Sequence, residues 1–276
     1  DPPGGDHGRL RGKGAAKDPL YVYNGGFLTQ PRLRRILDLA GYDIRLGKPG
    51  APEDRIGVWG RSPTAPRGEA VAERTETAIV RVEDALLRSI RPGRDGGEPP
   101  IGLMIDRRGG VHFDSSAPSA IEDMLMHDPL DDFAVLQRAR DGIERLKHLH
   151  LSKYNDFDPN ATVPEPGYVL VLDQTQGDAS ILYGKATPST FREMLVFAQE
   201  ENPGARIVIK SHPETIAGQR PGHYNEGHAH GLISVLRDPV SPWALLEGAT
   251  AVYTVSSLMG FEAIMAGHKP RVFGQP

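Results

Sequence analysis

Three apolar, β-branched runs in the C-terminal third of the sequence each end in a short polar motif. The runs occupy residues 168–172, 205–209 and 251–255, and segments of helical length separate them. Strands that alternate with helices are typical of a parallel sheet covered on both faces. Ligands bind beyond the carboxyl ends of the strands in such sheets. The three motifs therefore predict one binding site at one edge of a sheet.

The motif after the first run contains two carboxylates. Asp178 follows Gly177 in the loop, where a carboxylate can act as nucleophile, general base or ribose contact. Asp173, at the end of the run, is its rival, and Gln174 is placed to orient either one or to meet the donor. Asp178 is also well placed to cap a helix, and this structural interpretation remains open.

The second motif is Lys210-Ser211-His212-Pro213. A proline restricts the preceding residue to an extended backbone, so Pro213 is expected to hold the His212 imidazole at a fixed angle toward the site. An imidazole there can donate a hydrogen bond to a phosphate or protonate a departing one. A histidine in a surface turn fits the same pattern.

The third motif places Ser256 and Ser257 at the start of a helix that carries Glu262. Hydroxyls and free backbone N–H groups at a helix N-terminus favour anions, so the two serines are candidates for a phosphate site. Serine is also a common helix cap. Glu262 lies about a turn and a half into the helix, from where we expect it to reach ribose hydroxyls.

A second acidic motif, Glu83-Asp84, follows an earlier apolar run at residues 78–82. Two adjacent carboxylates that face one cleft raise each other's pKa, which suits proton transfer. A helix N-terminus that favours acidic residues explains the pair equally well. Arg61 and Arg88 lie near these loops and are candidates to balance an acidic acceptor.

The sequence predicts an α/β fold with two lobes. Residues 101–105 and 111–113 are predicted strands around a hairpin turn. The segment 155–167 is proline-rich and has no periodicity, which indicates a linker. The expected organisation is a disordered lead-in (1–18), an N-terminal acceptor-side lobe (19–155), a linker (156–167) and a nucleotide-sugar lobe (168–276). The last strand-like run is followed at once by the end of the sequence, so we expect a C-terminally truncated domain.

Composition excludes several classes of protein. A net charge of −4 disfavours a nucleic-acid binder. The absence of cysteine excludes disulfides and thiolate metal sites. His223, His228 and His230 have no evident carboxylate ligand set nearby, so no metal or other cofactor is predicted. No apolar run is long enough to span a bilayer.

Together, these motifs resemble those of the KpsC/LipB type of capsule polysaccharide protein, which are retaining β-Kdo glycosyltransferases. The resemblance covers nearly the whole chain from about Val58. It is carried by Val58-Trp59-Gly60-Arg61-Ser62-Pro63, Val82-Glu83-Asp84, Leu87-Arg88-Ser89, Leu151-Ser152-Lys153-Tyr154-Asn155, Asp173-Gln174-Thr175 with Gly177-Asp178, Lys210-Ser211-His212-Pro213, and Ser257-Leu258-Met259-Gly260-Phe261-Glu262-Ala263.

The resemblance implies a GT-B-like fold with two Rossmann-like lobes and a cleft between them, and CMP-Kdo as the donor. It places His212, Pro213, Ser256 and Ser257 at the cytidine monophosphate and makes Asp178 the catalytic aspartate. Ala85 stands where the family usually has glycine after the acidic pair, which weakens a catalytic role for Glu83 and Asp84.

The implied acceptor is a Kdo-bearing lipid of the (lyso)phosphatidylglycerol type, and capsule export machinery is a possible partner. The implied location is the cytoplasm, peripheral at the inner face of the inner membrane. Two other functions fit the residues: a GT-B enzyme that uses a UDP-sugar, and a non-catalytic scaffold module of a capsule assembly and export complex.

Overall fold

The computed structural model describes residues 16–93 and 98–276, so most of the predicted lead-in lies outside the described residues. The chain divides into two compact units. Unit 1 comprises Asp1–Ala85 and Pro99–Val111, and unit 2 comprises Leu86–Glu98 and His112–Pro276.

Unit 1 is built on a five-stranded sheet. Its elements are β1 (Asp18–Val22), α1 (Gly26–Thr29), α2 (Pro31–Leu39), β2 (Tyr42–Arg45), β3 (Arg55–Trp59), α3 (Ala65–Thr75), β4 (Ile79–Asp84) and β5 (Leu103–Asp106). The strand order is β2-β1-β3-β4-β5, and only the β4–β5 pair is antiparallel. Apolar side chains cover both faces, with Leu20, Leu37 and Val82 in one buried cluster and Ile56 and Ala72 in another.

Unit 2 has a wholly parallel sheet of order β10-β9-β6-β7-β8. Its elements are α4 (Ala120–His127), α5 (Phe133–His148), β6 (Tyr168–Leu172), α6 (Ala179–Tyr183), α7 (Pro188–Glu201), β7 (Arg206–Lys210), α8 (Pro213–Ile216), a 3₁₀ turn (Glu226–His228), β8 (Ile233–Leu236), α9 (Pro242–Gly248), β9 (Ala249–Thr254), α10 (Leu258–Met265) and β10 (Arg271–Val272).

The central position of β6 in the sheet explains why residues 168–172 form a continuous apolar run. All five of its residues are buried: Val169 and Val171 pack with α7 on one face, and Leu170 packs with α9 on the other. A strand covered on both faces has no polar side to alternate with. The predicted α/β class, built from two Rossmann-like units, is confirmed.

The observed units differ from the predicted lobes, because two segments placed in the first lobe belong to unit 2. Ser89 forms a bridge with Tyr154, and Asn155 N donates to the Ile90 carbonyl, so residues 89 and 90 pair with the segment that precedes β6. Ser115 N donates to the Tyr183 carbonyl at the end of α6. The unit boundary is therefore set by long-range backbone pairing rather than by the proline-rich segment.

The predicted strand at residues 111–113 is wrong. β5 pairs antiparallel with β4, and a turn follows it at residues 107–109, but the chain does not return to the sheet. Unit 1 ends at Val111, and the Asp114 side chain then accepts hydrogen bonds from Ser116 N and Oγ in a further turn. Residues 111–113 instead lead the chain away from the sheet.

Candidate functional site

The strand order of unit 2 locates a site. Taken in chain order within the unit, it is the 3-2-1-4-5 arrangement of Rossmann-like sheets, with a topological switch point between β6 and β9. Ligands bind in the crevice outside the carboxyl ends of the strands at such a point. The loops after β6 and β9 carry two of the three predicted motifs, and the loop after the adjacent β7 carries the third.

Gln174 connects the loops at the switch point. Its Nε2 donates to Ser180 Oγ (3.2 Å) and Ser256 Oγ (3.0 Å), and its Oε1 accepts from Ser256 N (2.9 Å). Gln174 and Ser256 are both buried. Both were predicted to contact the donor. Their polar groups instead bond to each other, which gives them a positioning role beneath the site.

The start of α10 differs from the predicted open anion site. Ser256 N is taken by Gln174, and Ser257 N donates to Thr254 Oγ1 (3.2 Å). Ser257 caps the helix, because its Oγ accepts from Met259 N (3.2 Å). This geometry leaves the Ser257 hydroxyl proton for a ligand, so Ser257 is the serine of the pair that is suited to a phosphate.

Asp173 is a structural carboxylate. It is 4% exposed and accepts backbone hydrogen bonds from Gln174 (2.8 Å), His223 (3.0 Å) and Tyr224 (3.3 Å). Burial raises the pKa of Asp173 to about 6, although these bonds act in the opposite direction. A saturated, buried group of this kind fixes the chain at residues 222–224 and is not placed to attack a substrate.

Asp178 is the more accessible carboxylate of the motif. It caps the short helix α6, because Oδ1 accepts from Ser180 N (2.8 Å), so the capping interpretation is confirmed. Oδ2 has no hydrogen-bond partner among the described residues, and the side chain is half-buried. Its charge acts on the imidazoles of His212 and His223. The capping hydrogen bond fixes Oδ1 of Asp178 and leaves Oδ2 available to react with a ligand.

His212 has the extended backbone that Pro213 was predicted to impose, with φ −69° and ψ 144°. Its Nδ1 accepts from Glu214 N (3.2 Å), so the neutral ring carries its proton on Nε2. Burial, assisted by the charge of Lys210, lowers the pKa of His212 to about 4. At neutral pH the ring is therefore an uncharged N–H donor.

Three cationic side chains act on this imidazole through their charge. Lys210, Lys153 and Arg220 all lower the pKa of His212. Burial lowers the pKa of Lys210 itself to about 8, a change that the nearby Glu262 and Asp173 oppose. A neutral donor among cations is a suitable environment for a phosphate. None of the three cations was singled out in the sequence, although Lys210 and Lys153 lie in the resembling motifs.

Glu262 was predicted to reach ribose hydroxyls, and in the structure its carboxylate is buried and hydrogen-bonded within unit 2. It is 2% exposed, and its Oε1 accepts a hydrogen bond of 2.5 Å from Ser152 Oγ. Burial raises the pKa of Glu262 to about 7. The buried carboxylate holds the 152–155 loop, whose Tyr154 ring lies edge-on to His212 with the ring centroids 6.4 Å apart. Glu262 is thus a positioning residue in this structure.

Within unit 1, the acidic pair lies in β4 rather than beyond it. Successive side chains of a strand point to opposite faces, so Glu83 and Asp84 do not present two carboxylates to one face. Glu83 Oε1 accepts from Asp84 N (2.9 Å). Arg61 donates to Glu69 (2.7 Å), which also binds the buried Arg81 (2.9 Å).

Arg88 belongs to unit 2, where its guanidinium donates to Ser89 Oγ and to the Glu98 carbonyl, both at 3.0 Å. It was predicted to lie in the N-terminal lobe, on the acceptor side. Arg88 therefore packs in the segment that pairs with the 152–155 loop.

Across residues 16–93 and 98–276, no group of three or more histidine and acidic side chains could hold a metal ion. The same part of the chain contains no helix long and apolar enough to cross a membrane.

Comparison with known proteins decides the family. Residues 142–276 match the family described as capsule polysaccharide biosynthesis protein. The solved structure of the beta Kdo 2,4 transferase KpsC of Thermosulfurimonas dismutans is 31% identical, with a TM-score of 0.84 over 95% of this chain and 81% of that one. The chain belongs to the KpsC/LipB type of capsule polysaccharide proteins.

Other relatives agree with this assignment. The capsule polysaccharide modification protein LipA of Neisseria meningitidis serogroup B is 33% identical over 265 residues, which are 93% of this chain and 36% of that protein. The chain thus spans about a third of the length of this relative. The beta Kdo 2,7 transferase KpsC of T. dismutans, 24% identical with a TM-score of 0.64 over 94% of this chain and 79% of that one, shares the fold.

Proposed function

We propose that this chain is a glycosyltransferase module that transfers Kdo from CMP-Kdo to a Kdo-bearing lipid acceptor during synthesis of the capsule's β-Kdo linker. The observation that carries the proposal is the grouping of Asp178, with one free carboxylate oxygen, and neutral His212 among cations in unit 2. The similarity to a Kdo transferase along nearly the whole chain supports the choice of sugar.

CMP is the leaving group, and its phosphate takes up the charge as it departs. His212 Nε2–H and the Ser257 hydroxyl would donate to it, and Lys210 would offset the negative charge that develops as the bond to the sugar breaks. These groups are fixed before the ligand arrives, because His212 and Ser257 each cap a helix. No step requires a metal ion, and the absence of a cofactor stays a prediction.

Asp178 Oδ2 would attack the anomeric carbon of Kdo and expel CMP, forming a covalent glycosyl-enzyme. The acceptor hydroxyl would then attack the same carbon, displace the carboxylate and lose its proton to a base. Two displacements restore the original configuration at the anomeric carbon. The assignment of that base to Glu83 or Asp84 rests on the sequence resemblance.

The test compares Asp178→Asn with Asp158→Asn, an exposed aspartate whose Oδ1 accepts from Asn160 N. We expect Asp178→Asn to lose at least about 1,000-fold in Kdo transfer while its affinity for CMP changes less than about threefold. The Asp158 variant should keep both. Transfer by Asp178→Asn near the wild-type rate would refute the nucleophile assignment.

Donor preference tests the alternatives. Selective use of a UDP-sugar would replace this function with that of another GT-B enzyme. A folded chain that neither binds CMP nor transfers Kdo, yet binds other capsule proteins, would be a scaffold. Association with export machinery and a location at the inner membrane belong to the proposal and depend on the lipid nature of the acceptor.

A further inference from the structure

Arg220 flanks the loop that carries Asp178. Its Nη2 donates to the Gln176 carbonyl (2.7 Å), and the same nitrogen would lie 3.5 Å from a Cβ placed on Gly177, the residue before Asp178. Its charge also reaches His212, whose pKa it lowers. The guanidinium therefore lies against the two residues that precede Asp178, and its charge acts on the His212 imidazole.

Its orientation is fixed without exhausting its donors. Arg220 Nη1 lies 3.6 Å from Oε2 of Glu214, an ion pair that is too long for a hydrogen bond. Glu214 is 7% exposed, and its Oε2 accepts no hydrogen bond among the described residues. Arginine has five N–H donors. One of them is used in a hydrogen bond within the part of the chain that the structure describes, and the side chain of Arg220 is 21% exposed.

The surrounding backbone makes this position rigid. Gln176 N donates to the Pro221 carbonyl (2.8 Å), Gln176 Nε2 donates to the Gly222 carbonyl (2.8 Å), and Thr175 forms an antiparallel bridge with Gly222. The two residues that follow Arg220 are thus paired with residues 175 and 176 of the Asp178 loop. A side chain held in this way can select a ligand group by its geometry.

We propose that Arg220 binds the carboxylate of the donor sugar and so selects an acidic sugar over a neutral one. This inference rests on the proposed function, because Kdo carries its carboxylate directly on the anomeric carbon that Asp178 would attack. A group bonded to that carbon lies within reach of a residue that flanks Asp178. The planar guanidinium fork matches a carboxylate in two parallel hydrogen bonds, whereas a UDP-hexose offers no such anion.

The experiment measures the affinities of CMP and of freshly prepared CMP-Kdo for Arg220→Gln, Arg220→Lys and the control Arg206→Gln. Arg206 is an exposed arginine at the start of β7 that donates to the Glu165 and Pro166 carbonyls. We expect Arg220→Gln to weaken CMP-Kdo binding about 10- to 100-fold, the loss typical of a charged hydrogen bond, and to leave CMP affinity within about threefold of wild type.

Arg220→Lys should recover only part of the loss, because an ammonium keeps the charge without the fork. The control should match the wild-type chain for both ligands. Equal weakening of CMP and CMP-Kdo would mean that Arg220 contacts the phosphate, and would overturn this inference while leaving the proposed function intact. If the folded wild-type chain binds neither ligand, the proposed function and this inference both fail.

Discussion

Gly222→Ala perturbs the contact that ties the Arg220 segment to the sheet. An alanine Cβ at this position would lie 2.2 Å from Asp173 Oδ2 and 3.1 Å from its Cγ, whereas Cβ contacts shorter than 3.0 Å are essentially never seen. Asp173 is 4% exposed, so its buried carboxylate has little space into which it can move. The methyl group must therefore displace either Asp173 or the backbone around Gly222.

The destabilisation expected for Gly222→Ala follows from the hydrogen bonds that Asp173 accepts. Overpacking a well-packed interior costs about 1–3 kcal/mol, and a displaced carboxylate loses part of its bonds from His223 N and Tyr224 N, each worth about 1.5–3 kcal/mol when the acceptor is charged. We expect about 3 kcal/mol of destabilisation in total. For a chain of this size, that corresponds to a melting temperature about 6–12 °C lower.

Thermal unfolding followed by circular dichroism measures this effect, with Gly142→Ala as the matched control. Gly142 lies inside α5 with no atom within 4 Å of its prospective Cβ, so alanine there should stabilise the helix by about 0.5–1 kcal/mol. The two alanine substitutions should thus have effects of opposite sign. A melting temperature for Gly222→Ala within about 1 °C of wild type would refute the reasoning about Asp173.

Three further predictions concern the ionisable groups of the site. Burial lowers the pKa of His212 from its ordinary value of 6.5 to about 4. As the pH falls, the unfolded chain therefore takes up a proton before the folded chain does, and about 3 kcal/mol of stability is lost between pH 6.5 and pH 4. His212→Asn should flatten the unfolding profile across this window. Bound phosphate should raise that same pKa above 4, so the advantage of the wild type over His212→Asn in CMP affinity should grow as the pH falls from 6 toward 4; an advantage that does not change with pH over this range would argue against contact with His212. Ser152→Ala removes the hydrogen-bond donor to Glu262, whose pKa of about 7 means that its ionisation costs stability as the pH rises from 4.5 to 7. Chemical denaturation should therefore show that the substitution lowers the free energy of unfolding more at pH 8 than at pH 5. Equal losses at the two pH values would contradict an ionised Glu262 at pH 8.

The sequence predicts much of the sheet in unit 2, because buried parallel strands leave an unmistakable apolar run. The predicted run at residues 168–172 coincides with β6. The short strand β2 and the one-turn helix α8 were missed, since a four-residue element carries little periodicity. The unit boundary was missed because it depends on pairing between residues 89 and 154, which no local pattern encodes.

The sequence predicts which loops carry the candidate residues but not what those residues contact. Spacing brings Gln174, Ser256 and His212 to one edge of the sheet, and the structure confirms that edge. The sequence pattern cannot show that Gln174 and Ser256 satisfy each other's hydrogen bonds, because these residues are 82 positions apart in the chain. No sequence pattern singled out Arg220 as a site residue, since a single arginine in a polar loop resembles any surface arginine.

The most direct test of the central claim is a calorimetric titration of this chain with CMP, with UDP as the comparator. The site proposed at His212 and Ser257 predicts saturable CMP binding at least about tenfold tighter than UDP binding. It also predicts that His212→Ala weakens CMP binding, since the variant lacks the Nε2–H donor. Preference for UDP, or no binding of either nucleotide by a folded chain, would contradict the assignment of a CMP-sugar site to unit 2.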